Sequence, residues 1–121
     1  MRFALISLLL LTVLSAQAQT VKVLVQSSPL AGFQYHAGPQ VWEHLRVGDT
    51  LTLVREPDNR HDARAVRVEW QGQQLGYLPR VENEAVATAM DQGERVTARI
   101  AALVADRNPW RRLRIEVFIV L

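Results

Sequence analysis

Apolar and polar residues alternate through most of the chain after its first twenty residues. Val21 to Gln26 carries Val21, Val23 and Val25 on one face and Lys22, Leu24 and Gln26 on the other, the two-residue period of a strand that Ser27-Ser28-Pro29 breaks. A short aromatic segment, Gly32-Phe33-Gln34-Tyr35-His36, closes on the turn signal Gly38-Pro39. Trp42 and Leu45 stand three apart in Gln40 to Arg46, which predicts one or two helical turns before a Gly48-Asp49 turn. Thr50 to Arg55 alternates again, with Leu51 and Leu53 inward. Glu56 to Arg64 is a polar loop. Ala65 to Trp70 and Gln74 to Leu78 flank Gln71-Gly72-Gln73 as a hairpin. Glu82 to Gln92 has acids in its first turn, Val86 and Met90 on one face and Gly93 as a stop, which predicts a helix. Two long strands finish the chain. Arg95 to Val104 is expected to bury Val96, Ala98, Ile100, Ala102 and Val104; Leu113 to Leu121 is expected to bury its odd-numbered residues. The turn Ala105 to Trp110 joins them.

Six or seven short strands with one good helix and one short one, and no βαβ rhythm, predict a mainly β fold. The expected architecture is a strongly curved antiparallel sheet or barrel plugged by a helix. Nothing divides it into two domains.

The first residues do not fit that pattern. Arg2 precedes an apolar run from Phe3 to Leu14, and Ser15-Ala16-Gln17-Ala18 supplies small residues at the spacing of a cleavage site. That order predicts a signal peptide over residues 1–18, cleaved near Ala18, and an exported protein, periplasmic or secreted. As a membrane anchor, twelve helical residues reach only ~18 Å against ~30 Å of hydrocarbon. No stable membrane insertion is expected once the leader is removed, and a monomer is expected. Cleavage takes 18 of 121 residues and leaves 103, enough for one small core.

Without Arg2 there are 13 cations against 12 acids, so net charge points to no partner and the placement of arginines must decide. There is no cysteine, hence no disulfide framework and no thiolate metal site. His36, His44 and His61 lack the spacing of metal ligands, and neither a phosphate-binding glycine loop nor a G-x-S-x-G elbow occurs. No cofactor and no catalytic residue are expected.

The stretch Leu53 to Arg80 is specific. L-x-R-E-P-D-N-x-x-D-x-x-A-V-x-V followed by G-Y-L-P-R resembles the HIRAN domain family, in its stand-alone bacterial form. Gly32 to Gly38 resembles the family's G-x-x-Y-Y/H-x-G motif, and Val47-Gly48-Asp49 its x-G-D. The resemblance implies a small OB-like antiparallel β-barrel of six or seven strands with one or two short helices, spanning residues 19–121. It also implies a non-enzymatic binding module. In the member attached to a SWI/SNF-type helicase ATPase, the domain grips the 3′-hydroxyl end of single-stranded DNA, and the ATPase belongs to a separate domain.

Carried over residue by residue, the resemblance assigns Tyr35 to base stacking, Asp62 to the terminal 3′-hydroxyl and Arg80 to phosphate, with Asn59 in the same loop. Gln34 stands where the DNA-gripping member has arginine; His61 and Tyr77 stand where it has tyrosine and histidine. An aromatic platform contributes about 1–3 kcal/mol per stacked base. A carboxylate accepts a hydrogen bond from a hydroxyl and repels a phosphate, so it distinguishes one kind of strand end from another. Losing the arginine at position 34 lowers the expected affinity for a polyanion. The alternative is a cell-envelope module that keeps the fold and binds protein or glycan.

Other residues have structural readings beside these. Arg55 could pair with Asp62 or Glu56 to pin the loop, Gly76 could admit close backbone approach in a curved strand, and Tyr77 could be a rim aromatic. Arg107, Trp110, Arg111, Arg112 and Arg114 form a basic cluster with one aromatic. It reads either as a second nucleic-acid or lipid-headgroup contact or, more often for such clusters, as the solvated face of an edge strand.

Overall fold

A computed structural model describes residues 20–121 together with Thr12. The expected signal peptide over residues 1–18 lies outside the described residues. Among the described residues there are six strands: β1 (Lys22–Pro29), β2 (Thr50–Glu56), β3 (Ala65–Trp70), β4 (Gln73–Tyr77), β5 (Arg95–Leu103) and β6 (Leu113–Val120). They form one antiparallel sheet in the order β1-β6-β5-β2-β3-β4. Two short helices, α1 (Gly38–Val41) and α2 (Glu84–Asp91), and four 3-10 turns complete the fold.

The sheet curls until its two edges almost meet. Just beyond β1, Ala31 N–H donates to the Tyr77 carbonyl at 2.8 Å and Tyr77 N–H returns to the Ala31 carbonyl at 2.9 Å. This isolated two-bond bridge joins the two sides of the sheet, which is curled but not closed. Gly76 makes the approach possible. Its φ of +156° disfavours an L side chain, and a Cβ there would collide with the Ala31 carbonyl oxygen.

Alternation sorts the core. Leu51 from β2, Val66 and Val68 from β3, Leu75 from β4, Ile100 from β5 and Ile115 and Val117 from β6 face inward and are buried. Each such side chain contributes about 1.5–3 kcal/mol by leaving water. Val86 and Ala87 of α2 join the same core. The helix ends as expected at Gly93, whose N–H bonds the Met90 carbonyl while Glu94 N–H bonds that of Ala89, both at 3.0 Å.

The strand registers correct three expectations. β1 does not stop at Gln26 but continues through Ser27-Ser28-Pro29, because an edge strand tolerates proline on its free side. A bulge between Leu24 and Gln26 also reverses its facing. Gln26 and Ser28 are therefore buried, with Gln26 Nε2 donating to Ser28 Oγ at 3.1 Å, while Val21 and Val23 are exposed. A second bulge, between Ile100 and Ala102, breaks the alternation in β5, so Ala102 is half-buried and Val104 exposed. Finally, β6 is interior, between β1 and β5, so the basic cluster around it is no edge-strand device. On β6 itself only Leu113, Ile115 and Val117 are fully buried; Leu121 is exposed beyond the strand.

Candidate functional site

The polar loop between β2 and β3 is shaped by its own side chains. Asn59 Oδ1 accepts from the backbone N–H groups of His61 and Asp62, at 2.9 and 3.2 Å, and Asn59 Nδ2 donates to Glu56 Oε1 at 3.0 Å. This is Asx-turn chemistry. It turns the chain so that Asp62 faces inward toward β4 and the segment before α2.

A cleft of about 290 Å³ opens there, lined by Ala31, Asn59, His61, Asp62, Ala65, Tyr77, Leu78 and Arg80. Ala31, Ala65 and Leu78 make it apolar inside; a carboxylate, a guanidinium, an imidazole and a phenol converge on it. Five of the seven residues singled out from the sequence are thus brought together: Asn59, His61, Asp62, Tyr77 and Arg80. Gln34 and Tyr35 do not line the cleft. They are exposed on the 3-10 turn Phe33–Tyr35, two residues beyond Ala31, with Tyr35 79% accessible.

Asp62 is the most tightly specified of these groups. Its Oδ1 accepts from Arg64 N–H at 2.9 Å and its Oδ2 from Asn83 Nδ2 at 2.7 Å. Partial burial by itself raises the pKa of the carboxyl. The two hydrogen bonds and the positive charges of Arg80 and Arg64 outweigh that effect and hold it below the usual carboxylate range. Asp62 is therefore ionised at neutral pH. Two of its roughly four acceptor positions remain uncommitted. Arg80 is exposed and has no ion-pair partner among the described residues.

Tyr77 is held in place rather than free. Its hydroxyl donates to Glu56 Oε1 at 2.9 Å, and its ring meets His36 edge-on at 5.8 Å between centroids. Burial and then the Glu56 bond raise its pKa. Glu56 also takes Arg67 Nη1 at 2.8 Å. Burial works against its charge, but Asn59, Tyr77 and Arg67 together keep it ionised and its pKa lowered. Glu56 is thus the joint between loop, β3 and β4, a structural role.

Arg55 pairs with neither Asp62 nor Glu56. Its Nε and Nη2 fork onto Asp91 of α2 at 2.9 and 3.1 Å, and Nη1 and Nη2 reach the carbonyls of Ala65 and Ala63. The guanidinium ties the loop's exit to the helix. Asn83 had no functional reading in the sequence, where it looked like part of a helix N-terminus. It is 1% exposed and makes no cap bond, because its side chain turns back to Asp62. Its one visible signal was an amide following G-Y-L-P-R by three residues. Among the described residues, no three histidine, cysteine or acidic side chains converge to hold a metal ion.

Comparison with known proteins agrees with this architecture. The family model of the HIRAN domain matches residues 23–121. A Lactobacillus plantarum protein known from its crystal structure superposes with a TM-score of 0.71 at 28% identity, over 84% of this chain and 98% of that one. The crystal structure of the HIRAN domain of human HLTF superposes with a TM-score of 0.63 at 21% identity, over 82% of this chain and 78% of that one. The NMR structure of the HLTF HIRAN domain gives 0.52 at 20% identity, with the same coverage. No curated protein sequence matches the chain significantly.

Proposed function

The chain belongs to the HIRAN domain family, a family of non-catalytic binding modules, and from that premise we propose that its cleft reads the 3′-hydroxyl ends of single-stranded nucleic acid. The observation that carries this reading is Asp62: an ionised carboxylate beside an apolar cleft, fixed by Asn83 and Arg64, with acceptor capacity left over. Such a group accepts a hydrogen bond from a terminal hydroxyl. It repels a terminal phosphate, and the low polarity of the neighbouring surface strengthens the discrimination.

Arg80, exposed and without an ion-pair partner among the described residues, meets the first internal phosphate. Tyr35 offers an exposed face to a base, worth about 1–3 kcal/mol without preference among bases. His61 and Tyr77 complete the walls. The phenol of Tyr77 is engaged with Glu56, so its part is shape rather than hydrogen bonding to the ligand.

The test is binding of the mature domain to short oligothymidylates ending in a 3′-hydroxyl or a 3′-phosphate, at fixed salt. The hydroxyl end binds more tightly, and Asp62→Asn narrows the difference. Equal affinity for the two ends, or binding of neither, would overturn this reading.

A further inference from the structure

Charge is divided unevenly over the barrel. Lys22 and the segment from residue 95 onward carry seven cations against two acids; the other described residues, including the cleft, carry six against ten. Exposed apolar side chains are divided unevenly too. Val21, Val23, Leu24 and Leu121, between 44% and 77% accessible, gather where β1 begins and β6 ends. Leu121 N–H donates to the Val21 carbonyl at 2.9 Å, which fastens the two ends of this patch to each other.

Strand register shows why the patch is bare. Val120 is flanked by Lys22 of β1 and Arg95 of β5, and Phe118 by Leu24 and Thr97. Paired residues of antiparallel strands share a face. Because the alternate residues Ala98, Ile115 and Val117 point into the core, these six side chains stand on the outer surface. On the inner side the row Val23, Ile119 and Val96 lies at the rim of the barrel, where Val23 is exposed and the other two are only half-buried.

Beside Phe118 a cavity of about 340 Å³ opens, lined by Lys22, Gly48, Thr50, Thr97, Arg99 and Phe118, none of which borders the cleft. Two cations and two hydroxyls thus converge next to an apolar surface. The Arg99 guanidinium lies over the Phe118 ring, 5.0 Å from its centroid, and reaches Glu116 at 3.2 Å. Lys22 and Arg95 are exposed and have no ion-pair partner among the described residues.

We propose that this face docks reversibly on an anionic phospholipid surface, with a headgroup phosphate in the Lys22–Arg99 cavity and Val21, Leu24 and Leu121 entering the acyl boundary. Aliphatic side chains beside unpaired cations match a surface that is apolar beneath a layer of negative charge. A second copy fits the face poorly, since it would set Lys22, Arg95 and Arg99 against their own counterparts. A nucleic-acid strand fits it poorly as well, because Arg99 covers the one ring on which a base could stack. The docking is independent of the end-reading proposed above.

The experiment measures cosedimentation with vesicles of phosphatidylcholine alone or mixed with phosphatidylglycerol. It uses the protein without residues 1–18, whose apolar run would itself partition into lipid. Binding is expected only where phosphatidylglycerol is present, and is expected to weaken as salt rises. Each cation near such a surface strengthens binding about fivefold, so Lys22→Gln/Arg95→Gln is expected to lose about twenty-fivefold. Leu24→Ser is expected to lose about fivefold. Arg107→Gln/Arg111→Gln makes an equal change of charge at the turn between β5 and β6 and is expected to lose clearly less. Circular dichroism confirms that each variant folds. No binding to the anionic vesicles, or equal binding to both kinds, would overturn the proposal. So would equal losses in the two double variants with Leu24→Ser unchanged, which would reduce the effect to diffuse attraction. Self-association in sedimentation equilibrium that Leu24→Ser abolishes would overturn it too, by giving the face to a second copy.

Discussion

Asn83 Nδ2 donates to Asp62 Oδ2 at 2.7 Å, joining residues 21 positions apart and fixing the carboxylate on which the cleft depends. The amide is 1% exposed, and its own Oδ1 is buried without a partner. Asn83→Ala therefore removes a charge-assisted bond and is expected to destabilise the domain by about 1–3 kcal/mol. It also raises the Asp62 pKa, and Asn83→Asp raises it further by setting a second carboxylate against the first. A carboxyl-carbon NMR titration checks the order; an Asp62 titration unchanged in both variants would show that the bond does not hold in solution.

Gly76→Ala places a methyl group against the Ala31 carbonyl oxygen at a φ that disfavours side chains. The cost is expected to exceed about 1 kcal/mol. Because the Ala31–Tyr77 bridge is what draws the sheet's edges together, the amides of these two residues are expected to lose protection first. Hydrogen exchange resolves this, and uniform loss of protection would mean that the bridge has no separate role.

Arg55→Lys keeps the charge but cannot fork onto both Asp91 oxygens while reaching the Ala63 and Ala65 carbonyls. Arg55→Ala is expected to cost about 1.5–3 kcal/mol, with Arg55→Lys between it and wild type. Denaturant unfolding of the three proteins orders them. A lysine variant as stable as wild type would reduce the fork to a simple ion pair.

Acid weakens the same joints. Asp62, Glu56 and Asp91 all have folded-state pKa values below their ordinary ones. For Asp91 the cause is the bond from Arg55; for the other two, partners outweigh burial. A depressed folded pKa gives stability that is present above the unfolded value, about 4, and lost as pH falls through the folded value. Stability is thus expected to be flat near neutrality and to decline below about pH 4. Glu56→Gln, less stable at neutral pH, is expected to decline less steeply. Melting temperatures between neutrality and acid compare the two slopes.

We propose that the chain is exported and cut near Ala18, on the charge, apolar run and small residues of positions 1–18. Expressed in a bacterial host, it is expected to leave the cytoplasm with Gln19 or a near neighbour as its N-terminus, read by intact-mass measurement. An uncut chain retained in the cytoplasm would remove this expectation.

How much was legible varies with the kind of interaction. The hairpin around Gln71-Gly72, the inward Leu51, Val66 and Val68, and the Gly93 helix stop depend on neighbours in sequence, where period and local turn chemistry act directly. Gln26 and Ser28 in the core, and Val104 on the surface, could not be read that way. Bulges shift the facing of everything beyond them, and a bulge is decided by the partner strand. Of the candidate site, Asn59, His61, Asp62, Tyr77 and Arg80 came through the family pattern and do converge. Asn83 and the Arg55–Asp91 fork did not, since each joins residues whose proximity exists only after α2 packs on the barrel.

A mainly β chain, its family and the chemical types at one cleft can be read from residue order alone, because alternation, turns and motif spacing are local properties of the chain. Folding in three dimensions settles which carboxylate is held ionised and by what, that Gly76 serves the joining of edges, and that the cations gather on the β1-β6-β5 side. Those outcomes depend on distances across the barrel, which burial and strand register set and no stretch of sequence contains.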